Sequence, residues 1–155
     1  MDRTDDANAE PTVLVVDDAP DIRLLIREVL RHSGFAVTEA EDGGQALERL
    51  ATGPLPTVIV LDVQMPGVDG WATLEALRAD PRTAGVPVVL CTVRSHPADQ
   101  LRAWELGCDA FLGKPFSIDD LIRQVQDLAR ADLDARLVNR ARHLALARSE
   151  AAAVS

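Results

Sequence analysis

Short runs of consecutive apolar residues alternate along this chain with longer segments whose apolar residues recur every three or four positions. The runs are TVLVV at 12–16, FAVTEA at 35–40, TVIVL at 57–61, VPVVLC at 86–91 and DAFLG at 109–113. Continuous apolarity rich in β-branched residues predicts strands that are covered on both faces, as they are in a parallel sheet.

The segments between these runs have the periodicity of amphipathic helices. One face of residues 21–32 collects Ile22, Leu25, Ile26, Val29 and Leu30, and further helices are predicted over 45–50, 71–77 and 97–106. Ser117 followed by Asp120 predicts the start of a last helix, because this spacing is typical of a capping box. Five βα units in succession predict a doubly wound α/β fold with right-handed crossovers.

No glycine or proline follows Ile118, so nothing in the composition ends the last helix near residue 131. Two apolar stripes run along this segment: Ile118, Leu121, Ile122, Val125, Leu128 and Ala129, and then Leu133, Leu137, Ala141 and Leu144. The second stripe is rotated by roughly 110° from the first. Either the helix kinks near Asp132, or the second stripe meets something other than the sheet. A frayed tail and an extension that packs on a second copy or a partner both stay open.

Composition and charge narrow the class of protein. The 155 residues are 47% hydrophobic and 26% charged, which is ordinary for one globular domain. The formal net charge of -9 disfavours binding to nucleic acid or to anionic lipid. The first residues lack the pattern of a signal peptide, no apolar run is long enough to cross a bilayer, and two cysteines make no disulfide framework. We therefore expect a cytoplasmic location without a membrane anchor.

Unusual polar residues follow the predicted strands at one end only. Asp17 and Asp18 follow the first strand, Asp62 the third, Thr92 the fourth, and Lys114 with Pro115 the fifth. In open α/β sheets, ligands bind beyond the carboxyl ends of the strands. Three carboxylates brought together there repel one another, so a cation is expected among them, and hard oxygen donors favour Mg²⁺.

This set of side chains is suited to phosphoryl transfer. An aspartate can attack a phosphoryl group to form an acyl phosphate. The equatorial oxygens of the transferred group must then be neutralised, and Asp18 (through the metal), Lys114 and Thr92 are the candidate groups. Lys114 is the only lysine in a chain that otherwise uses arginine. This indicates that a compact point charge is needed at this position.

Four blocks of sequence, LVVDDAPD, LDVQMPGVDGW, VVLCT and FLGKPF, resemble the signature blocks of CheY-like response regulator receiver domains. They stand in order at the ends of consecutive βα units. The resemblance implies a flavodoxin-like, five-stranded parallel sheet of order 2-1-3-4-5. It covers a receiver domain at 12–131. The polar, acidic residues 1–11 are expected to form a flexible lead, and the apolar stripes of the tail predict a helical extension or frayed tail at 132–155.

The resemblance implies a role for each acidic residue. Asp62 would accept the phosphoryl group. Asp18 and Asp62 would bind Mg²⁺ directly, together with the backbone carbonyl of Gln64, and Asp17 would act through water. Gln64 and Arg94 would flank the entrance of the hydrolytic water.

It also implies a switch. Lys114 would pair with Asp62 and later with the phosphoryl oxygens, and the peptide bond before Pro115 would be cis. Thr92 would move towards the phosphoryl group while the ring of Phe111 turns inward. This paired movement would change the face made by the fourth helix, the fifth strand and the fifth helix. Phe111 replaces the more frequent tyrosine, and Val93 replaces a smaller residue that would leave the acceptor more accessible.

The function implied by the resemblance is that of a single-domain response regulator, a phospho-acceptor with at most slow self-dephosphorylation rather than an enzyme. Its donor would be a sensor histidine kinase or a histidine phosphotransfer protein. Its output would be contact with a downstream protein target, without a DNA-binding domain, and a homodimer through the fifth helix and the tail is open. Two rivals remain: a receiver-fold interaction module that is not phosphorylated, which Val93 favours, and a phosphatase or phosphotransferase whose nucleophile is Asp17 or Asp18.

Overall fold

In the computed structural model, residues 10–93 and 96–154 are described, so most of the expected N-terminal lead and Arg94 lie outside the described residues. The strands are β1 Thr12–Val16, β2 Ala36–Ala40, β3 Val58–Asp62, β4 Val88–Thr92 and β5 Ala110–Gly113. The helices are α1 Pro20–His32, α2 Gly43–Thr52, α3 Gly70–Ala79, α4 Pro97–Leu106, α5 Ile118–Arg130 and α6 Leu133–Ala153. The strands form one parallel sheet in the order β2-β1-β3-β4-β5, which confirms the predicted fold class.

The core lies on both faces of this sheet. Every residue of β3 and β4 is buried. This explains why the sequences of these strands are nearly continuous apolar runs. Alternate residues contribute to two separate apolar clusters. Leu14, Ile59 and Leu90 belong to the cluster that includes side chains of α2, α3 and α4. Val13, Val60 and Val89 belong to the cluster formed with α1 and α5.

The predicted apolar face of α1 is only half correct. Ile26 and Leu30 are buried against the sheet, whereas Ile22 and Leu25 are 36% and 46% exposed. The first turn of α1 instead lines a surface groove, which it shares with the segment Lys114–Phe116 that follows β5. An apolar periodicity fixes which residues share a helix face, but it does not tell how far along the helix the sheet extends.

The helix is interrupted between α5 and α6, so of the two alternatives left open the structure shows the break near Asp132. Ala131 has an extended backbone with φ -74 and ψ 137, and the Asp132 carboxylate caps the next helix by accepting a hydrogen bond from the backbone N–H of Ala135 at 2.8 Å. An aspartate that caps a helix start satisfies an otherwise unpaired N–H group and does not need glycine or proline to interrupt the previous helix.

Helix α6 then packs along α4, but not through the second apolar stripe. Leu133 and Leu137 are 50% and 47% exposed, and of that stripe only Leu144 packs on the core. The face turned to the protein repeats every three or four residues and consists of Arg136, Asn139, Arg140, His143, Leu144, Ala147 and Ala151. The stripe was therefore the wrong choice of contact face, because this face includes the polar side chains of Arg136, Arg140 and His143.

Among the described residues, no helix combines the length and the apolarity that are needed to cross a membrane.

Candidate functional site

The predicted polar residues meet at the C-terminal edge of the sheet, where the parallel strands end. Asp17 directly follows β1, Asp62 ends β3, Thr92 ends β4 and Lys114 directly follows β5. Parallel register aligns these positions, since Asp62 pairs with Cys91 and Thr92 pairs with Gly113. The edge therefore collects acidic groups from two neighbouring strands and an ammonium group from a third.

Lys114 joins the two buried acidic residues. Its Nζ lies 3.1 Å from Oδ2 of Asp17 and 3.3 Å from Oδ1 of Asp62. Its backbone N–H donates to the carbonyl oxygen of Thr92 at 2.7 Å, and the peptide bond from Lys114 to Pro115 is cis, the geometry expected from the resemblance. The contact with Asp62 was expected. The shorter contact with Asp17 was not, because the sequence gives no sign of which carboxylate faces the fifth strand.

Of the two consecutive aspartates after β1, Asp17 is held by the protein more tightly than Asp18. It is 3% exposed, and its Oδ1 accepts a hydrogen bond from the backbone N–H of Ala19 at 2.9 Å. Arg23 donates to the backbone carbonyl of Asp17 at 2.7 Å and pairs with Glu39 on β2, two contacts that sequence reasoning missed. Asp18, by contrast, is exposed. One carboxylate is thus fixed by the protein and the other faces solvent.

The charges of this site shift the pKa values of two groups. Burial raises the pKa of the Asp62 carboxyl above its usual value, and the negative charge of Asp17 adds to this effect, while Lys114 opposes it. Burial lowers the pKa of Lys114, but the hydrogen bond and charge of Asp17 outweigh it, so the pKa of Lys114 is raised overall. Lys114 is therefore a firmly protonated cation, and the negative charge at Asp62 is not fully compensated by it.

The acidic residues fit a divalent cation. Carboxylate oxygens of Asp17, Asp18 and Asp62 all lie within 4.8 Å of one another. Three hard oxygen donors in an arc, one of them open to solvent, match the preference of Mg²⁺ for few carboxylates and several waters. The cluster is able to bind a metal ion of this kind.

The loop after β3 is held close to Asp62 by a glycine. A Cβ atom at Gly70 would lie 2.4 Å from the carbonyl oxygen of Asp62, so a larger residue would push α3 away from the end of β3. Within the same loop, a backbone hydrogen bond from Gln64 reaches the Asp62 carboxylate and lowers its pKa. The structure thus shows a backbone contact of Gln64 with Asp62, while the expected role of its carbonyl as a metal ligand stays a prediction.

The expected switch residues lie beside the site at different depths. Thr92 is fully buried. Phe111 is half-buried and packs against the core cluster that contains Trp104 of α4, together with Leu144 of α6. Val93 is 58% exposed at the rim.

An apolar groove opens next to Lys114. It has a volume of about 390 Å³. Its walls are formed by Ile22, Leu25, Ile26, Val93, Lys114, Pro115, Phe116 and Ile118. Because Lys114 belongs both to this groove and to the acidic site, any macromolecule that approaches Asp62 from this side covers the groove.

Known proteins are similar to this chain over the region that contains the sheet and the acidic cluster. The family described as "Response regulator receiver domain" matches residues 13–126. The chain is 40% identical over 122 residues to "Response regulator Rre1" of Synechocystis sp., which is 77% of this chain and 52% of that protein. It is 43% identical over 120 residues to "Transcriptional regulatory protein PrrA" of Mycobacterium tuberculosis, which is 77% of this chain and 50% of that protein. The chain spans about half the length of the curated relatives it matches.

Solved structures are similar over the same region. The receiver domain of the Francisella response regulator 1452 has a TM-score of 0.73 and 35% identity, covering 77% of this chain and 97% of its own. The chemotaxis response regulator CheY4 of Vibrio cholerae has a TM-score of 0.72 and 28% identity, covering 77% and 99%. Helix α6 begins beyond the region that the family match covers.

Proposed function

Because this chain belongs to the response regulator receiver domain family, we propose that Asp62 accepts a phosphoryl group from a phosphohistidine on a donor protein. The observation that carries the proposal is the convergence of the Lys114 ammonium and the acidic cluster on the carboxylate of Asp62. Receiver domains are phospho-acceptors rather than classical enzymes, and the reaction that follows is a single transfer.

As reactants, the transfer needs only the phosphohistidine, the carboxylate of Asp62 and a proton from solvent. A carboxylate oxygen of Asp62 attacks the phosphorus atom, a P–O bond forms, and the P–N bond to the donor imidazole breaks. The imidazole leaves with the bond's electron pair and takes up a proton from solvent. The ammonium of Lys114, 3.3 Å from Oδ1 of Asp62, is placed to bind an oxygen of the transferred group as its charge is redistributed.

A divalent cation is part of this proposal. Asp17, Asp18 and Asp62 would hold Mg²⁺, which when bound neutralises charge on the phosphoryl oxygens. The Gln64 carbonyl completes the protein ligands expected from the family resemblance. Burial and the Asp17 charge raise the pKa of Asp62, so a cation at this place also favours the ionised, nucleophilic form of its carboxylate.

The apolar groove is the docking site that we assign to the donor protein. Ile22 and Leu25 are exposed there on α1, and Val93 is exposed on the other wall. A small phosphodonor needs none of these side chains, whereas a protein that carries a phosphohistidine to Asp62 must lie over the groove. In this proposal the exposed Val93 belongs to the donor surface.

The phosphorylated form is read by another protein. Thr92 and Phe111 stand on neighbouring strands, between the acceptor and the surface of α4 and β5, and their paired movement would carry the change to that surface. Loss of the phosphoryl group would occur by slow hydrolysis, as the family resemblance implies.

Intact-mass measurement tests this function. Wild-type protein incubated with Mg²⁺ and acetyl phosphate should gain the mass of one phosphoryl group, and neither Asp62→Asn nor wild type with excess EDTA should gain it. No gain in wild type would favour the unphosphorylated interaction module. A gain that survives in Asp62→Asn would move the nucleophile to Asp17 or Asp18.

A further inference from the structure

Asp109, the residue before β5, carries an unusual set of partners. Its carboxylate is 1% exposed and lies within 3.2 Å of three guanidinium groups, those of Arg78, Arg136 and Arg140. Arg78 belongs to α3, and the other two belong to α6 one turn apart. A single buried carboxylate thus ties the C-terminal helix to the body of the domain.

The two α6 arginines of this cluster bind the Asp109 carboxylate bidentately, whereas Arg78 donates a single hydrogen bond to it. Arg136 donates from Nε to Oδ1 at 3.1 Å and from Nη2 to Oδ2 at 3.2 Å. Arg140 donates from Nε to Oδ1 at 2.8 Å and from Nη2 to Oδ2 at 3.1 Å. The backbone N–H of Val88 adds a further bond to Oδ2 at 2.9 Å. Planar fork-to-carboxylate pairing of this kind fixes the orientation of α6 as well as its position.

A second contact lies one turn further along α6. The imidazole of His143 stacks on the indole of Trp104 with ring centroids 4.4 Å apart and an interplanar angle of 17°. Leu144 and Ala147 pack on the same core cluster as Trp104 and Phe111. Helix α6 therefore covers the outer side of α4 and the beginning of β5.

The packing under α6 is incomplete. A cavity of about 350 Å³, lined mainly by polar groups, lies between α4, β5, α5 and α6. Phe111 and His143 both line it, so the cavity borders the ring of Phe111 beneath the helix. A contact made of arginine forks, one ring stack and few apolar side chains can separate without exposing a large core.

Strand β5 links this contact to the phosphorylation site. It has only four residues and pairs with β4 alone, at the edge of the sheet. Asp109, at its start, is held by the arginines of α6, and Lys114, at its end, is held by Asp17 and Asp62. Because β5 is so short, a change in the partners of Lys114 at its end is transmitted to Asp109 at its start, where the arginines of α6 bind.

We propose that α6 is an intramolecular cap on the surface of α4 and β5, and that phosphorylation of Asp62 loosens it through β5. This inference depends on the proposed function for its trigger. In the unphosphorylated protein, both ends of β5 are paired and α6 is docked. A phosphoryl group draws Lys114 to new oxygens and shifts β5, which weakens the arginine contacts with Asp109 and uncovers the α4 surface for another protein.

Amide hydrogen exchange of the full chain tests whether the arginines hold the cap. The double variant Arg136→Ala/Arg140→Ala should speed exchange of the α6 amides by about tenfold or more, as expected from the loss of charged hydrogen bonds. The matched control is Arg142→Ala/Arg148→Ala, which makes the same change at two exposed positions of the same helix. It should leave α6 exchange as in wild type. Equal effects of the two variants, or global unfolding of the first by circular dichroism, would overturn the cap as a separable element.

The same measurement after phosphorylation tests the coupling. Wild-type protein that has gained one phosphoryl group by mass should exchange its α6 amides faster than before, whereas the Arg136→Ala/Arg140→Ala variant should show little further change. A phosphorylated wild type with unchanged α6 exchange would overturn the coupling and leave the proposed function intact. Absence of any mass gain would instead remove the proposed function, and the trigger with it.

Discussion

The ammonium nitrogen of Lys114 lies 3.3 Å from Oδ1 of Asp62, the residue that ends the third strand of the sheet. The same nitrogen lies 3.1 Å from Oδ2 of Asp17, so one cation serves two buried carboxylates. No other lysine exists in the chain. Among the described residues, Lys114 is the cation that forms ion pairs with both Asp17 and Asp62.

Replacing Lys114 by alanine should slow phosphorylation of Asp62 by acetyl phosphate by about 10²-fold, the scale of losing one preorganised donor to a developing charge. The rate is measured from the mass of the intact protein over time. Arg130→Ala, at an exposed position on α5, removes a cation elsewhere and should leave the rate unchanged. A Lys114→Ala rate within about twofold of wild type would show that the ammonium does not act on the transferred group.

Asp18→Asn should weaken Mg²⁺ binding by about tenfold or more, because it removes an ionised oxygen donor from the cluster. Isothermal titration calorimetry with MgCl₂ measures this directly. Asp21→Asn, which neutralises an exposed carboxylate in the first turn of α1, is the matched control for the change in overall charge. Equal Mg²⁺ affinities for the two variants would contradict the assignment of Asp18 to the metal site.

The fold and the convergence of Asp17, Asp62 and Lys114 were largely predictable because each depends on short-range patterns. Continuous apolar runs mark the strands, and their carboxyl ends bring Asp17, Asp62 and Lys114 to one edge whatever the details of packing. The boundaries of β1 and α4 were predicted to the residue. What the pattern leaves open is which carboxylate Lys114 contacts more closely.

The surface on which α6 packs, and the residues that make this contact, could not be predicted from the same patterns. Its contact residues include Arg136 and Arg140, whereas periodicity arguments look for apolar side chains and so selected Leu133 and Leu137. Asp109 gave no signal either, because a single aspartate before a strand resembles a turn residue. Contacts between distant charged side chains depend on three-dimensional placement that local sequence does not encode.

Leu25→Asp should slow phosphotransfer from a protein donor by about tenfold or more and leave phosphorylation by acetyl phosphate unchanged. The change places a charge in the apolar groove that we assign to the donor, and buried interface charge is costly. The donor is found by testing each purified, ATP-phosphorylated sensor kinase of the source organism and taking the fastest.

Leu24→Asp is the control for this variant. Leu24 is 48% exposed on the same helix, and it is not among the residues that line the groove. It should retain the wild-type rate with both donors. Equal slowing by the two variants would place the donor elsewhere on α1 or indicate a general loss of α1 stability.

Asp109→Asn should lower the free energy of unfolding at pH 7 by about 3–5 kcal/mol, because one buried and two partly buried guanidinium groups lose their only carboxylate partner among the described residues. Burial raises the pKa of Asp109, but hydrogen bonds from Arg140 and Arg136 outweigh it and the pKa is lowered overall. A lowered pKa gives stability that is present above the unfolded value of 3.8 and is lost as the pH falls through the folded value.

The difference between wild type and Asp109→Asn should therefore be constant from neutral pH down to about pH 4 and shrink below it. Urea unfolding followed by circular dichroism at a series of pH values measures it. Asp127→Asn, at an exposed carboxylate of α5, should change stability by less than about 0.5 kcal/mol throughout. A difference for Asp109→Asn that stays the same below pH 3 would contradict the account of this cluster.

The most direct test of the central claim is to locate the phosphoryl group. After incubation of wild-type protein with Mg²⁺ and acetyl phosphate, borohydride reduction converts an aspartyl phosphate to a stable alcohol at the modified residue, which peptide mass spectrometry then identifies. The account predicts one reduced residue, Asp62. Reduction at Asp17 or Asp18 instead, or no reduced aspartate in protein that binds Mg²⁺, would contradict it.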